Sequence, residues 1–194
     1  MAGLAAGESI VVPDKMLKDA GINVVVDEVT KIDPEKKEVY TAGGKGFQYD
    51  KLYLATGSRP FIPPIEGKDL EGVVSLRGLG DAEKIKTFLS EKQPENIVFI
   101  GAGFISMEIA SLLMENMPGK FNISIVELMD RPLPLMLDKD MADLVTEYLT
   151  EKGLNILTGE KVEKILGNNG KVSGVALESG KKIGCRHGIC KCGS

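Results

Sequence analysis

The pattern of apolar and polar positions is most regular in one central stretch, Asn96–Leu128. It opens with Asn96–Ile100, a short apolar run typical of a buried parallel strand. Apolar residues at helical spacing follow, and a second strand-like run, Phe121–Val126, ends at the acidic Glu127. The pattern therefore predicts a strand, a helix and a second strand parallel to the first.

The segments on both sides of this stretch alternate between short apolar runs and turns. The strands predicted before it form a β-meander and an apolar strand: Ile22–Val26, Asp27–Ile32, Glu38–Thr41, Gly46–Tyr49 and Tyr49–Thr56. Helical spacing predicts helices over Asp81–Leu89 and Lys139–Lys152, with Asp81 and Asp138 as N-caps. The strands predicted last are Leu154–Leu157 and a second meander, Lys161–Leu166, Val172–Glu178 and Lys182–Cys185.

The composition is typical of a globular protein, because 43% of the 194 residues are hydrophobic and 27% are charged. This length allows one domain or one and a half. A net charge of −4 argues against nucleic acid or an anionic membrane as a partner. The long apolar run Ile97–Met114 contains Glu108 and a glycine turn, so we interpret it as a strand and a helix, not a membrane span. Met1–Gly7 lacks the features of a signal peptide, and we expect a cytoplasmic location.

A glycine-rich turn, Gly101–Ser106, joins the predicted central strand to its helix. Gly101 allows the tight turn, and Gly103 has no side chain that would keep a pyrophosphate from the backbone. The helix that begins near Phe104 and Ile105 directs open N–H groups and its positive dipole end at that phosphate. Ser106 replaces the third small residue of the fingerprint, and we expect slightly looser helix–strand packing there. The alternative is a turn with a structural role alone.

The acidic residue at the end of the second strand supplies the other half of a dinucleotide site. Glu127 follows the glycines by about 20 residues and can accept hydrogen bonds from both hydroxyls of an adenosine ribose. Its carboxylate would repel a 2′-phosphate, and the nearest arginine after it is Arg131. The sequence therefore favours NAD(H) over NADP(H).

Six segments resemble, in order, a known group of flavoproteins. They are YDKLYLATGSRP (Tyr49–Pro60), IPPIEG (Ile62–Gly67), SLRGLGDAEKIKTFL (Ser75–Leu89), GAGFISMEIA (Gly101–Ala110), VELMDRPLP (Val126–Pro134) and LDKDMADLV (Leu137–Val145). The chain is similar to the pyridine nucleotide-disulfide oxidoreductases, which nest an NAD domain inside an FAD domain. Within the group it is most similar to coenzyme A-disulfide reductases, NADH oxidases and NADH-dependent persulfide reductases.

The resemblance implies an α/β fold with a Rossmann-like NAD(H)-binding domain at residues 65–184, a parallel sheet with helices plus a β-meander. Residues 1–64 would be a fragment of a second, FAD-type nucleotide-binding domain. Thr56 and Gly57 match an FAD contact of the family. Glu108 matches a carboxylate close to the nicotinamide–flavin junction; the other interpretation is a glutamate that the helix dipole favours.

Three features of the family have no counterpart in this sequence. They are the first strand–GxGxxG–helix unit for the FAD pyrophosphate, its redox cysteine, and the later FAD contact with the dimerisation domain. We therefore expect the NAD(H)-binding portion of an enzyme in which NADH reduces flavin, flavin reduces a cysteine, and that cysteine reduces a disulfide, persulfide or peroxide. The chain alone would carry no catalytic residue and retain no FAD, and it lacks the domain that joins the family's usual homodimers. The alternative is a non-catalytic fragment that folds but binds nucleotide weakly.

All three cysteines lie in residues 185–194. With His187 they could form a zinc knuckle, but the spacing Cys-x4-Cys-x-Cys is uncommon for zinc, and we expect no metal site. Adventitious disulfides are a second interpretation. Moving the reading frame of Arg186–Cys192 by one base permits Asp-Met-Val-Tyr-Val-Asn-Val, which matches the family's fourth parallel strand. Our hypothesis is that the natural frame is broken after Cys185, which leaves a false tail and a missing strand.

Overall fold

The computed structural model describes residues 12–57, 60–185 and 189–192, the last of these by their backbone alone. The described residues form two compact units, 12–57 and 60–192. The predicted α/β class is confirmed. Within these ranges, no helix has the length and apolar character needed to cross a lipid bilayer.

The smaller unit contains a short helix and a three-stranded antiparallel sheet. Its elements are α1 (Asp14–Asp19), β1 (Val29–Asp33), β2 (Glu38–Thr41) and β3 (Gly46–Gln48), and the sheet has the order β1-β2-β3. The turn between β1 and β2 is stabilised because the Asp33 carboxylate accepts a hydrogen bond from the Lys36 N–H at 3.1 Å. These three strands confirm the predicted meander.

Two apolar runs of this unit, Ile22–Val26 and Tyr49–Thr56, have strand-like sequences but form no strand. The prediction is wrong for both. Val26 is 98% exposed and Tyr53 is 88% exposed, so the runs lie open to solvent. An apolar run becomes a strand only where a neighbouring strand satisfies its backbone groups. The described part of this unit provides neither run with such a neighbour.

The larger unit is a five-stranded parallel sheet with helices on one face and an antiparallel sheet on the other. Its elements are β4 (Val73–Val74), α2 (Leu79–Lys92), β5 (Asn96–Ile100), α3 (Phe104–Asn116), β6 (Asn122–Val126), α4 (Lys139–Glu151), β7 (Asn155–Leu157), β8 (Val162–Asn168), β9 (Lys171–Leu177), β10 (Lys182–Gly184) and β11 (Ile189–Cys192). The parallel sheet has the order β4-β11-β5-β6-β7, and β8 to β10 form the antiparallel sheet. The predicted central strand, helix and strand are confirmed as β5, α3 and β6.

Both faces of the parallel sheet are buried, each in its own apolar cluster. On one face Phe99 lies in a cluster with Leu113 of α3 and Leu149 of α4. On the other face Val98 lies in a cluster with Val175 of β9. Neighbouring residues of a strand point to opposite faces, which explains how Val98 and Phe99 serve different clusters. Burial of both faces is the reason that β5 is a continuous apolar run without alternation.

The predicted N-caps of the two outer helices have different outcomes. Helix α2 begins at Leu79 with Gly78 as its N-cap, so the prediction of Asp81 as the N-cap is wrong. Asp81 lies in the first turn, where its carboxylate accepts hydrogen bonds from the N–H groups of Arg77 at 3.0 Å and Gly78 at 3.3 Å. Asp138 is the N-cap of α4, as predicted, although its side chain makes no capping hydrogen bond.

The end of the chain supplies a strand where the sequence predicts a tail. β11 pairs in parallel with β4 and with β5, and Cys190 lies opposite both Val73 and Val98. The fourth parallel strand is therefore present, and the expectation of a missing strand is wrong. An interior strand is held by backbone hydrogen bonds on both sides, which any sequence without proline can make. Residues 186–188, at the proposed frame break, lie outside the described residues, and the reading-frame hypothesis stays a prediction.

We expect Gln93→Gly to raise the free energy of unfolding by about 0.5–1 kcal/mol. Gln93 ends α2 in the left-handed conformation, with φ +42° and ψ +60°, and its side chain is exposed. Glycine adopts this conformation without steric strain. Urea denaturation measures the change. The control is Lys86→Gly, an exposed position in the middle of the same helix, which should lose about 1 kcal/mol. Equal effects at both positions would contradict the assignment of Gln93 as the cap.

Candidate dinucleotide-binding site

The glycine turn after β5 has the backbone geometry that its sequence predicts. Gly101 has φ +97°, in the region that favours glycine, and its N–H donates to the Val126 carbonyl at 2.8 Å. Gly103 has φ −75° and ψ 173°, which any residue can adopt. The backbone conformation therefore explains why residue 101 is glycine but not why residue 103 is. A ligand that approaches the backbone closely would explain the second glycine.

Helix α3 begins directly at this turn, with Gly103 as its N-cap and no side-chain capping bond. The first hydrogen bond along the helix runs from the Met107 N–H to the Gly103 carbonyl at 3.1 Å. The N–H groups of Phe104 and Ile105 precede it and have no acceptor within the helix. This end of α3 thus presents N–H groups and the positive end of the helix dipole to an anion.

The third small position of the fingerprint is buried, and the expectation of looser helix–strand packing there stays a prediction. Ser106 is completely buried, and so is Ala102 in the turn before it. Met107, the next residue of α3, belongs to the same apolar cluster as Phe99 of β5. No buried side-chain oxygen or nitrogen of the described residues lacks a hydrogen-bond partner, and this includes the Ser106 hydroxyl.

Glu127 lies directly against the glycine turn. Its side chain is largely buried, and Oε2 accepts a hydrogen bond from the Ala102 N–H at 2.6 Å. The other oxygen, Oε1, accepts one from the Met129 N–H at 2.8 Å. A carboxylate has about four acceptor positions, so two are left for the hydroxyls of a ribose. The residues present therefore fit an adenine dinucleotide.

Sequence reasoning finds Glu127 but misses both of its backbone partners. Ala102 and Met129 donate through main-chain N–H groups, which almost every residue type has, so their side chains give no signal. The carboxyl ends of adjacent parallel strands meet at one edge of a sheet, which explains how residues 25 positions apart come together.

Glu108 is exposed and lies on one wall of an open cleft of about 570 Å³ between α3 and α4. The lining is mostly apolar and consists of Phe104, Met107, Glu108, Ser111, Leu133, Leu144, Val145, Tyr148 and Leu149. Because Phe104 is the first residue of α3, the cleft begins at the same helix end as the glycine turn. The structure thus brings together Gly101, Gly103, Phe104, Ile105, Ser106, Glu108 and Glu127.

Thr56 and Gly57 lie in the smaller unit, and both are exposed. Gly57 has φ +72°, in the left-handed region that glycine favours. The FAD contact that the resemblance implies for these two residues stays a prediction.

Cys185 is buried in the apolar cluster that covers the meander face of the sheet. Burial raises the pKa of its thiol to about 11, which disfavours the thiolate that a metal would require. No group of potential metal ligands occurs among the residues whose side chains the structure describes. His187 and the side chains of Cys190 and Cys192 lie outside that part.

Comparison with known proteins identifies relatives along nearly the whole chain. Residues 5–194 match the family described as pyridine nucleotide-disulphide oxidoreductase. An NADH oxidase of Methanocaldococcus jannaschii is 35% identical over 172 residues, which are 86% of this chain and 37% of that protein.

Two solved structures are similar in fold as well as sequence. An NAD-dependent persulfide reductase from A. fulgidus has a TM-score of 0.81 and 35% identity, and the match covers 98% of this chain and 36% of the other. An FAD-dependent pyridine nucleotide-disulphide oxidoreductase from Desulfovibrio vulgaris has a TM-score of 0.67 and 29% identity, with coverage of 89% and 44%. This chain therefore spans less than half of each relative.

We expect Glu127→Gln to lower the free energy of unfolding by about 1–3 kcal/mol. Both carboxylate oxygens accept backbone N–H groups, whereas glutamine has one acceptor oxygen and an NH₂ group that would oppose the other N–H. Urea denaturation measures the loss. The matched control is Glu115→Gln at the exposed end of α3, expected to stay within about 0.5 kcal/mol of the wild type. Equal stability of the two variants would show that these two hydrogen bonds do not stabilise the fold.

Proposed function

The chain belongs to the pyridine nucleotide-disulphide oxidoreductase family, and we propose that it is the NAD(H)-binding portion of an FAD-dependent member. The proposed NAD(H)-binding domain comprises residues 65–184 together with β11. The chain covers 37% of the NADH oxidase that it resembles. The activity of a longer protein that contains this chain is therefore also a proposal.

The observation that carries the proposal is the position of the Glu127 carboxylate, 2.6 Å from the Ala102 nitrogen in the glycine turn. In the proposed complex the N–H groups of Phe104 and Ile105 bind the pyrophosphate, beside Gly101, Gly103 and Ser106. The remaining acceptor positions of Glu127 bind the ribose hydroxyls. NAD(H), when bound, supplies the hydride. The residues of this chain bind the cofactor and orient it.

Preference for NAD(H) over NADP(H) follows from the same carboxylate. A 2′-phosphate on the adenosine ribose would lie next to the negative charge of Glu127, which is largely buried and screened little by water. Arg131, the nearest cation in sequence, donates to the carbonyls of Leu137 and Pro134 and to the carboxylate of Asp130. Its charge is therefore engaged within its own loop.

Glu108 is the proposed contact at the nicotinamide end. Its carboxylate is exposed on the wall of a cleft that begins at Phe104, the first residue of α3. A dinucleotide whose pyrophosphate lies at the start of α3 has room to extend along this cleft. The resemblance to the family assigns a carboxylate at this position to the nicotinamide–flavin junction.

In the longer protein, we propose, electrons pass from NADH to FAD and then to a cysteine that reduces a disulfide, persulfide or peroxide. The names of the relatives support the NAD and FAD steps. The second candidate function is a folded fragment that binds nucleotide weakly. The exposed apolar runs Ile22–Val26 and Tyr49–Thr56 favour this candidate for the isolated chain, because neither pairs with another strand in the described part of the smaller unit.

We expect the protein to bind NADH roughly tenfold or more tightly than NADPH, because like charges in a partly buried contact are strongly unfavourable. The chain contains no tryptophan whose fluorescence could be followed. Binding is therefore measured by the fluorescence of NADH itself. Gly103→Ala should weaken NADH binding about tenfold or more, since a Cβ would separate the phosphate from the backbone.

The matched control is Gly78→Ala, which alters the equivalent N-cap glycine of α2, where an added Cβ meets no atom within 4 Å. It should leave the NADH dissociation constant unchanged. A folded wild-type protein that shows no saturable signal with NADH at millimolar concentrations would favour the weakly binding fragment instead.

We expect the purified protein to carry FAD at far less than one molecule per chain, measured by its visible flavin absorbance before and after addition of FAD and gel filtration. The FAD contacts proposed here are Thr56 and Gly57, both exposed, and two contacts on one segment cannot offset the entropy lost on binding. Flavin near one per chain would overturn this part of the proposal.

A further inference from the structure

The segment that follows Glu127 folds back onto the glycine turn. We call residues 128–137 the 128–137 loop; it connects the end of β6 to the N-cap of α4. Within it, Pro132 is fully buried, and the Leu133 N–H donates to the Ala102 carbonyl at 3.0 Å. The Ala102 N–H donates to Glu127. Both backbone groups of Ala102 are therefore hydrogen-bonded. Its N–H is bound by Glu127, and its C=O is bound by the 128–137 loop.

The backbone of the 128–137 loop is strained at the point of contact. Leu133 has φ +51°, in the left-handed region that residues with a side chain adopt rarely. Its carbonyl accepts hydrogen bonds from the N–H groups of Met136 at 2.9 Å and Leu137 at 3.0 Å. A strained conformation persists only where surrounding contacts determine it. Here those contacts include the glycine turn.

The Arg131 side chain closes the 128–137 loop by hydrogen bonds to main-chain carbonyls later in the same loop. Its guanidinium donates from Nε to the Leu137 carbonyl at 3.3 Å, and more weakly to the Pro134 carbonyl at 3.5 Å. A third donor, Nη1, reaches the Asp130 carboxylate at 3.0 Å. The side chain is 27% exposed, so its bonds are partly shielded from water. The planar fork of the guanidinium suits this arrangement of acceptors, and a lysine ammonium does not reproduce it.

The first residues of the loop fix the other oxygen of the acid. The Met129 N–H donates to Glu127 Oε1, and the Met129 carbonyl accepts the Gly159 N–H at 2.7 Å. One end of the loop thus determines where the Glu127 carboxylate points, and its middle determines where the Ala102 peptide lies. Both parts of the candidate dinucleotide site depend on the shape of the same ten residues.

We propose that the 128–137 loop, closed by Arg131, holds Ala102 and Glu127 in the arrangement that receives a dinucleotide, and that Arg131 is a positioning residue for binding. This inference rests on the proposed function. The guanidinium acts through the loop and is no ligand for the cofactor. Since the site is arranged in advance, little conformational entropy is lost when the ligand binds.

The test compares Arg131→Ala and Arg131→Lys with wild type by NADH and NADPH fluorescence titration at two salt concentrations. We expect both variants to bind NADH roughly tenfold more weakly, because a small misplacement of binding groups has a large effect. The NADPH affinity should fall by the same factor, which leaves the NADH preference unchanged. The control Asp130→Asn removes only the negative charge of the exposed partner of Arg131 and should bind NADH as wild type does.

Amide hydrogen exchange separates positioning from a general loss of stability. In Arg131→Ala the Ala102 and Met129 amides should exchange roughly tenfold faster, whereas the Val175 amide in β9 should keep its wild-type rate. Uniformly faster exchange would show that Arg131 is only a general stabiliser and would overturn the proposal. Arg131→Lys serves as the second variant if Arg131→Ala does not fold.

Two further outcomes would overturn the positioning role. An unchanged NADH dissociation constant in the folded Arg131 variants would show that the site keeps its arrangement without the hydrogen bonds of Arg131. A selective loss of NADPH binding would show that Arg131 is a direct ligand for a 2′-phosphate. A wild-type protein that binds no NADH contradicts the proposed function itself, and the absence of any NADH signal distinguishes that failure from the other two.

Discussion

The hydrogen bond from the Ala102 N–H to the Glu127 carboxylate is the interaction on which the candidate site depends. It connects the turn after β5 to the end of β6, which are the two places where a dinucleotide-binding unit contacts phosphate and ribose. The bond is buried and charge-assisted, and such bonds are roughly twice as strong as neutral ones. Because the bond forms in the protein alone, the acid has two roles, a structural one within the turn and a binding one toward the ribose.

The layers of the larger unit explain why this edge of the sheet is open to a ligand. Helices cover one face and the β8–β10 meander covers the other, so the strands bury both faces and leave their ends at the surface. At the carboxyl ends, an uncapped helix start, a glycine turn and an acid lie together. The apolar clusters hold these backbone positions, and the helix start together with the remaining acceptor positions of Glu127 faces the ligand.

The sequence predicts the parts of the fold that depend on local patterns and misses those that depend on distant partners. β5, the start of α3 at Phe104 and the position of Glu127 all follow from spacing and residue type. The strands expected at Ile22–Val26 and Tyr49–Thr56 do not form, because strand formation needs a neighbouring strand that local pattern cannot guarantee. The sequence does not indicate the roles of Met129 and Leu133, since each acts through its main-chain N–H group. Nor does it indicate β11, which forms from a segment without a strand-like pattern.

The position of β11 has a consequence for the order of folding. This strand lies in the interior of the sheet, between β4 and β5, although it comes last in sequence among the described elements. During synthesis β4, β5 and β6 all emerge before β11, and β4 has no neighbouring strand in the sheet until residues 189–192 have left the ribosome. The sheet therefore lacks the strand between β4 and β5 until β11 has been synthesised. Such late closure over a large sequence separation slows folding and leaves the edge of β5 available to other nascent chains.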